Sequence, residues 1–272
     1  MSIESVIKEL KSVTSKNQSF VKRMTEIQRL EKDRSKNLGK LRGNVKAVET
    51  ALETMDRGTA AIVRPWIEEY RADLQKTADS VRSRFGLDLE EHLKTAGLEL
   101  KGQYPFLHAG LYTFEVDFEQ SVCTIWYGNQ QERLAKCVTD ATTVATEWQE
   151  QRKNLGSSLD TKQFADTVGN AYEMALVKYG TSKEVSVTGL LPFIALLLQE
   201  KRFWQEPVRE HFRSYRRADF SYDLFRCRVA ISSSFRLTIA TRQQTQRRQD
   251  CLWIPTNERG DGSLYSTIRR NE

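Results

Sequence analysis

The sequence predicts a mainly α-helical protein with a small β component: an N-terminal coiled-coil arm, a central β-hairpin with helices, and a C-terminal winged-helix-like region. Three observations predict this class. The first sixty residues carry a long apolar heptad seam, apolar residues alternate strictly after Gly102, and helical segments precede strands near the C-terminus. The corresponding domains are 1–100, 101–182 and 183–272.

The N-terminal arm is predicted from one register of apolar residues. Alternating steps of three and four from Ile3 to Ile62 meet fourteen apolar residues in eighteen positions, which is typical of a coiled coil. Sixty helical residues would extend about 90 Å. Glu31 and Arg34 weaken the seam, and glycines at 39 and 43 allow a hinge or hairpin near 34–44. The seam positions expected to bind a partner are Leu38, Leu41, Val45, Val48, Leu52 and Met55.

The next elements are predicted from helix-breaking residues and from a change in the spacing of apolar residues. Pro65 is predicted to open a second helix, and Leu87 to Ala96 is predicted to be helical up to Gly97. Apolar residues then alternate from Tyr112 to Phe118, which predicts a hairpin at 111–127. Helices are predicted at about 130–154 and at 160–179, the second ending at Gly180.

The last ninety residues predict a short strand at 185–187, then three helices and three strands. The helices are expected at 188–200, 207–215 and 219–229, and the strands at 235–239, 252–254 and 264–268. Three helices followed by a hairpin is the order of a winged helix-turn-helix.

Charge is distributed unevenly along the chain. Residues 1–50 have a net charge of +6, the middle of the chain is acidic, and residues 201–272 have +7, with Arg supplying every cation except Lys201. An Arg-rich end indicates a polyanion or an acidic partner, because guanidinium groups bind phosphate and carboxylate in a bidentate way. A surface balanced within its own chain is the alternative.

Few residues suggest catalysis. Neither a phosphate-binding loop nor a dinucleotide fingerprint occurs, so ATP binding by this chain is not expected. Asp88, Glu99 and Lys101 have the spacing of a metal-dependent nuclease, but a helical Asp88 would spoil that geometry. The carboxylates at 115, 117 and 119 are interpreted as the solvated face of an edge strand. The three histidines are scattered, so neither a metal nor a cofactor is expected, and the chain is predicted not to be an enzyme.

The first residues lack the pattern of a signal peptide, and the longest apolar run, 187–198, is too short to span a bilayer, so a cytoplasmic protein is expected. The four cysteines, with no metal spacing, are expected to be reduced packing residues.

Arginines of the C-terminal region are the predicted nucleic-acid contacts. They are placed on the second and third helices and at the tip of the wing: Arg209, Arg213, Arg216, Arg217, Arg226, Arg228, Arg247 and Arg248. Asp219 and Asp223 on the third helix would repel phosphate, and they could instead pair with Arg216 or Arg226. Contact with the DNA backbone, without reading of base sequence, is therefore expected. A winged fold used only for protein assembly is the alternative.

The layout resembles the small non-ATPase accessory subunit of prokaryotic SMC-like antiphage complexes of the Lamassu type. The resemblance is carried by the seam from Ile3 to Ile62, the segment GQYPFLHAGLYTFEVDF from Gly102 and the segment FRLTIATRQQTQRRQDCLWIP from Phe235. It implies an SMC-like ATPase partner, an effector nuclease in the same complex, and a role in antiviral or plasmid defence. The alternatives are a stand-alone dimeric DNA-binding regulator and a coiled-coil adaptor without a nucleic-acid role.

Overall fold

The computed structural model describes residues 3–55, 57–180 and 183–271. The protein is mainly helical with a smaller share of strand, as predicted. Two compact units divide the chain, and neither is contiguous in sequence. The first comprises Met1–Leu100, Glu115–Cys123 and Lys136–Thr146; the second comprises Lys101–Phe114, Thr124–Ala135 and Glu147–Glu272.

The helices and strands follow one another in a mixed order. The helices are α1 (Ile3–Leu30), α2 (Arg34–Leu52), α3 (Arg57–Lys94), α4 (Ala141–Lys153), α5 (Thr161–Tyr179), α6 (Val187–Leu197), α7 (Lys201–Gln205), α8 (Arg217–Arg226), α9 (Arg228–Ser234) and α10 (Arg242–Thr245). The strands are β1 (Lys101–Gln103), β2 (Phe106–Ala109), β3 (Tyr112–Asp117), β4 (Val122–Tyr127), β5 (Glu132–Val138), β6 (Val185–Ser186), β7 (Phe235–Ile239), β8 (Leu252–Pro255) and β9 (Gly262–Arg270).

The apolar seam of the first unit packs within the chain. Helix α2 contacts both α1 and α3, and the three helices share one hydrophobic core. Seam residues Leu41 and Val48 are fully buried in the same cluster as Ile67 and Leu74 of α3. The single register predicted from Ile3 to Ile62 is therefore divided among three helices that pack on one another, and it does not form one extended arm.

The first of these breaks lies where the seam carries charge. A short 3₁₀ turn, Glu31–Asp33, separates α1 from α2, and Asp33 is non-helical with φ −141° and ψ 65°. The carboxylate of Glu31 accepts hydrogen bonds from Tyr70 and Arg34, and Arg34 also pairs with Asp73 at 3.1 Å. These polar side chains therefore find partners on α3, and the break falls just before the predicted 34–44 hinge.

Pro65 lies inside α3 instead of opening a helix, which corrects the predicted break at this position. A helical proline leaves the carbonyl four residues earlier, here Ala61, without its usual donor. Both Pro65 and Ala61 are exposed, so water can satisfy that carbonyl.

The predicted hairpin at 111–127 is present as β3 and β4, within a five-stranded sheet of order β1-β2-β3-β4-β5. Strand β3 is therefore central, which corrects the interpretation of its acidic face as a sheet edge. Residues 132–138 form β5, whereas a helix was predicted from about residue 130. Buried Glu132 and Leu134 flank exposed Arg133, the alternation of a strand, and only α4 from Ala141 is helical.

Helix α5 begins and ends where the sequence predicts. Asp160 caps its N-terminus through a capping box with Gln163, and Gly180 closes its C-terminus with φ +64°. Its buried face packs on α6, and both contribute to the hydrophobic core of the second unit.

The second sheet has the order β6-β9-β7, and β8 also pairs with β9. All of these pairings are antiparallel, and they place Arg236 of β7 directly opposite Arg269 of β9. The predicted strands at 185–187, 235–239, 252–254 and 264–268 are thus present.

The predicted helix at 207–215 is wrong. Only the short α7 and a 3₁₀ turn at Arg209–His211 occur between α6 and α8, and residues 204–210 are exposed throughout. Because none of these residues is buried, the stretch lacks the core packing that stabilises a helix. Consequently Arg209, Arg213 and Arg217 do not share one helical face. The predicted third helix is divided into α8 and α9, which meet at Cys227.

Candidate nucleic-acid interface in the second unit

Half of the arginines predicted to bind nucleic acid are bonded to carboxylates of the second unit. Arg216 pairs with Asp219 at 3.0 Å and Arg226 pairs with Asp223 at 2.6 Å. The prediction that these two aspartates pair within the domain is confirmed. Both carboxylates are buried, and this burial requires a paired cation.

The same aspartates also hold the loop that precedes α5. The amide of Gly156 donates to Asp219 at 3.1 Å, and the amide of Ser157 donates to Asp223 at 2.8 Å. Gly156 has φ +86°, and a β-carbon there would lie 2.7 Å from an Asp223 oxygen. The carboxylates of α8 therefore have a structural role in docking this loop.

Glu132 of β5 binds two further arginines of the predicted set. Its carboxylate is buried and pairs with Arg217 at 2.7 Å and with Arg248 at 2.5 Å. Arg217 also donates to the carbonyl of Cys251 at 2.6 Å. These bonds anchor the segment 240–251, which connects β7 to β8 and corresponds to the predicted wing.

Helix α8 cannot serve as a recognition helix in this structure. Seven of its ten residues are buried, and Ser221 donates to the carbonyl of Trp253 at 2.5 Å. A helix that reads bases must present one free face to the major groove. Most side chains of α8 are instead buried, so the helix has no such free face.

The other four predicted arginines are exposed. Arg209 begins the 3₁₀ turn and Arg213 follows it, Arg247 lies in the segment 240–251, and Arg228 is the first residue of α9. The backbone of Arg213 is held at both its amide and its carbonyl by the buried side chain of Gln199, at 2.8 and 2.9 Å. These four side chains remain candidates for contact with a polyanion.

Sequence reasoning missed the cross-strand pair Arg236 and Arg269. Directly opposite residues of an antiparallel pair project from the same face with their β-carbons about 5 Å apart, and like charges there are destabilising. Both arginines are exposed, and neither has an ion-pair partner within 3–55, 57–180 and 183–271. In the sequence, the alternation of Phe235, Arg236 and Leu237 indicates that Arg236 lies on the polar face of its strand. Only the register between β7 and β9 shows that Arg269 lies opposite Arg236.

This pair lines a depression of about 590 Å³ that also includes Arg270 and Lys183. Arg270 pairs with Glu173 at 2.8 Å and lies 5.9 Å from the centre of the Tyr172 ring. The other carboxylate of the depression, Glu184, accepts a hydrogen bond from Thr267. Among the described residues that line this concave site, cations therefore outnumber carboxylates by two, which is the electrostatic footprint expected of an anion-binding surface.

The seam residues predicted to bind a partner lie in the first unit. Leu38, Leu41, Val45, Val48 and Leu52 are buried in its core, and Met55 is half-buried against it. Binding of a partner by these side chains would require the three helices to separate.

The remaining candidate groups show little sign of a reactive site. Asp88 lies within α3 and not on a strand. The structure, in the ranges it describes, contains no group of three or more His, Cys, Asp or Glu that could hold a metal ion. The four cysteines are free, as expected, and burial raises the pKa of the Cys227 and Cys251 thiols, which disfavours the reactive thiolate.

Comparison with protein-family models, with curated proteins and with solved structures finds no match for this chain. Among the helices of the described ranges, none has the length and apolar character needed to cross a membrane.

Proposed function

We propose that this chain is a non-catalytic subunit that contacts the nucleic-acid backbone without sequence preference and helps to assemble a larger complex. The observation that carries the proposal is the exposed, directly opposed pair Arg236 and Arg269. A like-charged pair costs stability in the free protein, and phosphates lying across both guanidinium groups would reverse that cost.

The order of elements in the second unit supports a winged-helix-like fold for this contact. Helix α5, the short β6, helix α6, helices α8–α9 and then β7 and β9 follow one another, and β9 pairs with both β6 and β7. Because α8 is buried, we infer that the sheet and the segment 240–251 contact the nucleic acid, and that no helix enters the major groove. That geometry supports the proposal of contact with the nucleic-acid backbone without reading of bases.

Removal of the opposed pair should weaken nucleic-acid binding without harming the fold. For Arg236→Ser with Arg269→Ser, we expect lower affinity for unrelated duplexes by the same factor. We also expect the slope of log K against log salt to become shallower by about 1.8, at about 0.9 for each phosphate contact. Fluorescence anisotropy with two duplexes of unrelated sequence over a range of salt concentrations measures both quantities.

A matched control removes two cations from the first unit. Arg64 and Arg84 are exposed on α3, and Arg64→Ser with Arg84→Ser changes the net charge equally. The control should retain the salt slope, and the Arg236 and Arg269 variant should unfold at the same temperature as the native protein or higher. An unchanged slope, or an equal loss of affinity in the control, contradicts the nucleic-acid proposal.

Assembly is proposed to use the part of α1 that the bundle leaves uncovered. Ile3, Ile7, Val13 and Val21 are each at least 45% exposed. At about 100° per residue they fall within one third of the helix circumference. Exposed lysines lie along one side of this face, at positions 8, 11 and 22. An amphipathic partner helix with acidic flanks complements both features.

The resemblance to Lamassu-type accessory subunits suggests that this partner is an SMC-like ATPase, in a complex that also holds an effector nuclease and acts in antiviral or plasmid defence. A stand-alone regulator would instead bind one duplex sequence preferentially. The anisotropy experiment on unrelated duplexes therefore distinguishes these two candidates.

Charge placed on the exposed face of α1 should abolish assembly. For Ile7→Asp with Val13→Asp, we expect the chain to lose copurification with an SMC-like ATPase from its own cells, because the carboxylates would have to enter an apolar helix interface. Mass spectrometry of the purified complex identifies the partner. Val177→Asp changes a more exposed valine of the second unit, and this control should retain copurification. Copurification that survives the double change contradicts the proposed use of α1.

A further inference from the structure

The second unit contains an apolar groove that shares Arg236 with the depression proposed to contact the nucleic-acid backbone. Its volume is about 530 Å³, and it lies between α8–α9 and the strands β7, β8 and β9. Its floor is apolar, formed by Leu224, Phe225, Ile231, Leu237, Ile254 and Tyr265. Several of these are core residues of the unit, so the groove is an opening onto a packed and preformed surface.

The charged side chains among the described residues that line this groove have a single sign. They are Arg228 and Arg236, and none of these described lining residues is acidic. Arg228 is exposed, donates to the carbonyl of Phe225 at 3.1 Å and lies 4.8 Å from the centre of the Phe225 ring. Neither arginine has a carboxylate partner within the ranges that the structure describes. The groove therefore complements a ligand that carries carboxylates beside an apolar group.

One side of the groove is an edge strand. Strand β7 ends the order β6-β9-β7, and in the described part of the chain no strand pairs with its outer edge. Ile239, the last residue of β7, is 64% exposed. An extended peptide can add to such an edge through main-chain hydrogen bonds and place alternate side chains into adjoining pockets.

We propose that this groove binds an extended segment of a partner protein, in which a large apolar side chain is flanked by Asp or Glu. The segment adds as a strand to β7, its apolar side chain enters the groove, and its carboxylates meet Arg228 and Arg236. A nucleic-acid strand fits less well, because the apolar floor offers no partner for phosphates. Because Arg236 lines both this groove and the depression proposed to contact nucleic acid, the charge test uses Arg228.

Selection from a phage library of random linear peptides on the full-length protein tests the proposal. We expect enriched peptides to share one large apolar residue with acidic neighbours on both sides. Ser232 lines the groove, whereas its neighbour Ser233 does not, and both are exposed. Ser232→Phe should fill the groove and abolish enrichment, and Ser233→Phe should leave it intact.

A charge exchange then tests the role of Arg228. A labelled synthetic copy of the leading peptide should bind Arg228→Glu about tenfold more weakly, since an attraction becomes a repulsion. The same peptide with lysines in place of its acidic residues should bind Arg228→Glu more tightly than it binds the native protein. Arg209→Glu, an equal change at another exposed site, should alter neither affinity.

Three results would overturn the proposal. Selection could yield no enrichment, enriched peptides could lack carboxylates, or Ser232→Phe could capture them as well as the native protein does. Weaker duplex binding by Arg228→Glu together with an absence of peptide binding would instead assign this side chain to the nucleic-acid surface.

Discussion

Leu41→Asp is expected to unfold the three-helix core of the first unit. Leu41 is fully buried among Val45, Val48 and Leu74, so the change removes a packed side chain and introduces a carboxylate without a partner. Loss of a buried leucine alone costs about 2–5 kcal/mol, and the buried charge adds to that figure. Hydrogen exchange measured on peptides from 20–78 should show these amides exchanging as in an unfolded chain.

The control is Val13→Asp on the exposed face of α1. Val13 is 50% exposed, and a surface change of this kind alters the free energy of unfolding by about 0.5 kcal/mol or less. Exchange within 20–78 should stay at the native level. If Leu41→Asp leaves exchange unchanged but prevents copurification of a partner, the seam faces that partner, as the sequence alone suggested.

Asp223→Ala should strongly destabilise the second unit. The carboxylate of Asp223 is fully buried and accepts hydrogen bonds from Arg226 at 2.6 Å, from Tyr215 at 2.7 Å and from the amide of Ser157 at 2.8 Å. Removing one partner of a buried ion pair costs about 3–5 kcal/mol because the other charge stays unpaired. In a unit of this size the Tm should fall by about 10 °C, measurable by calorimetry.

Two further variants separate the lost charge from the lost packing. Asp223→Asn keeps the shape and one acceptor and should cost less than Asp223→Ala. Asp223→Ala with Arg226→Ala should cost less than the sum of the single changes, because the stranded guanidinium is then absent. Asp166→Ala removes an exposed carboxylate of α5 and should leave the Tm unchanged. Additive single and double changes would contradict a coupled pair.

These expectations give a structural role to some of the C-terminal arginines that are predicted from the sequence to contact nucleic acid. Arg216, Arg217, Arg226 and Arg248 form a framework with buried carboxylates, so substitutions there would reduce nucleic-acid binding by damaging the fold. Substitutions of the exposed pair Arg236 and Arg269 test binding directly, because no described carboxylate depends on them. A binding experiment that mixes the two groups would confuse stability with recognition.

Sequence reasoning identified which residues are buried more reliably than it identified their partners. The seam from Leu38 to Leu52 is buried as its period predicts. A heptad pattern shows that one face of a helix must be buried against another helix. The pattern is the same whether that other helix belongs to a second chain or to a later part of the same chain. The turn between α1 and α2 is short, and the polar residues Glu31 and Arg34 were its main signal in the sequence.

The sequence by itself determined the elements whose cause is local: α5 with its cap at Asp160 and its stop at Gly180, the alternating strands β3 and β7, and the pairing of Asp219 with Arg216 three residues away. Tertiary structure alone decided that β5 is a strand, that most of α8 is buried, and that Glu132 binds Arg217, 85 residues later in the chain. The physical reason is the distance along the chain between the interacting residues. Caps, alternation and pairs within one helical turn act between neighbours in sequence, whereas the fate of a buried charge or an exposed strand edge depends on whatever the fold brings beside it.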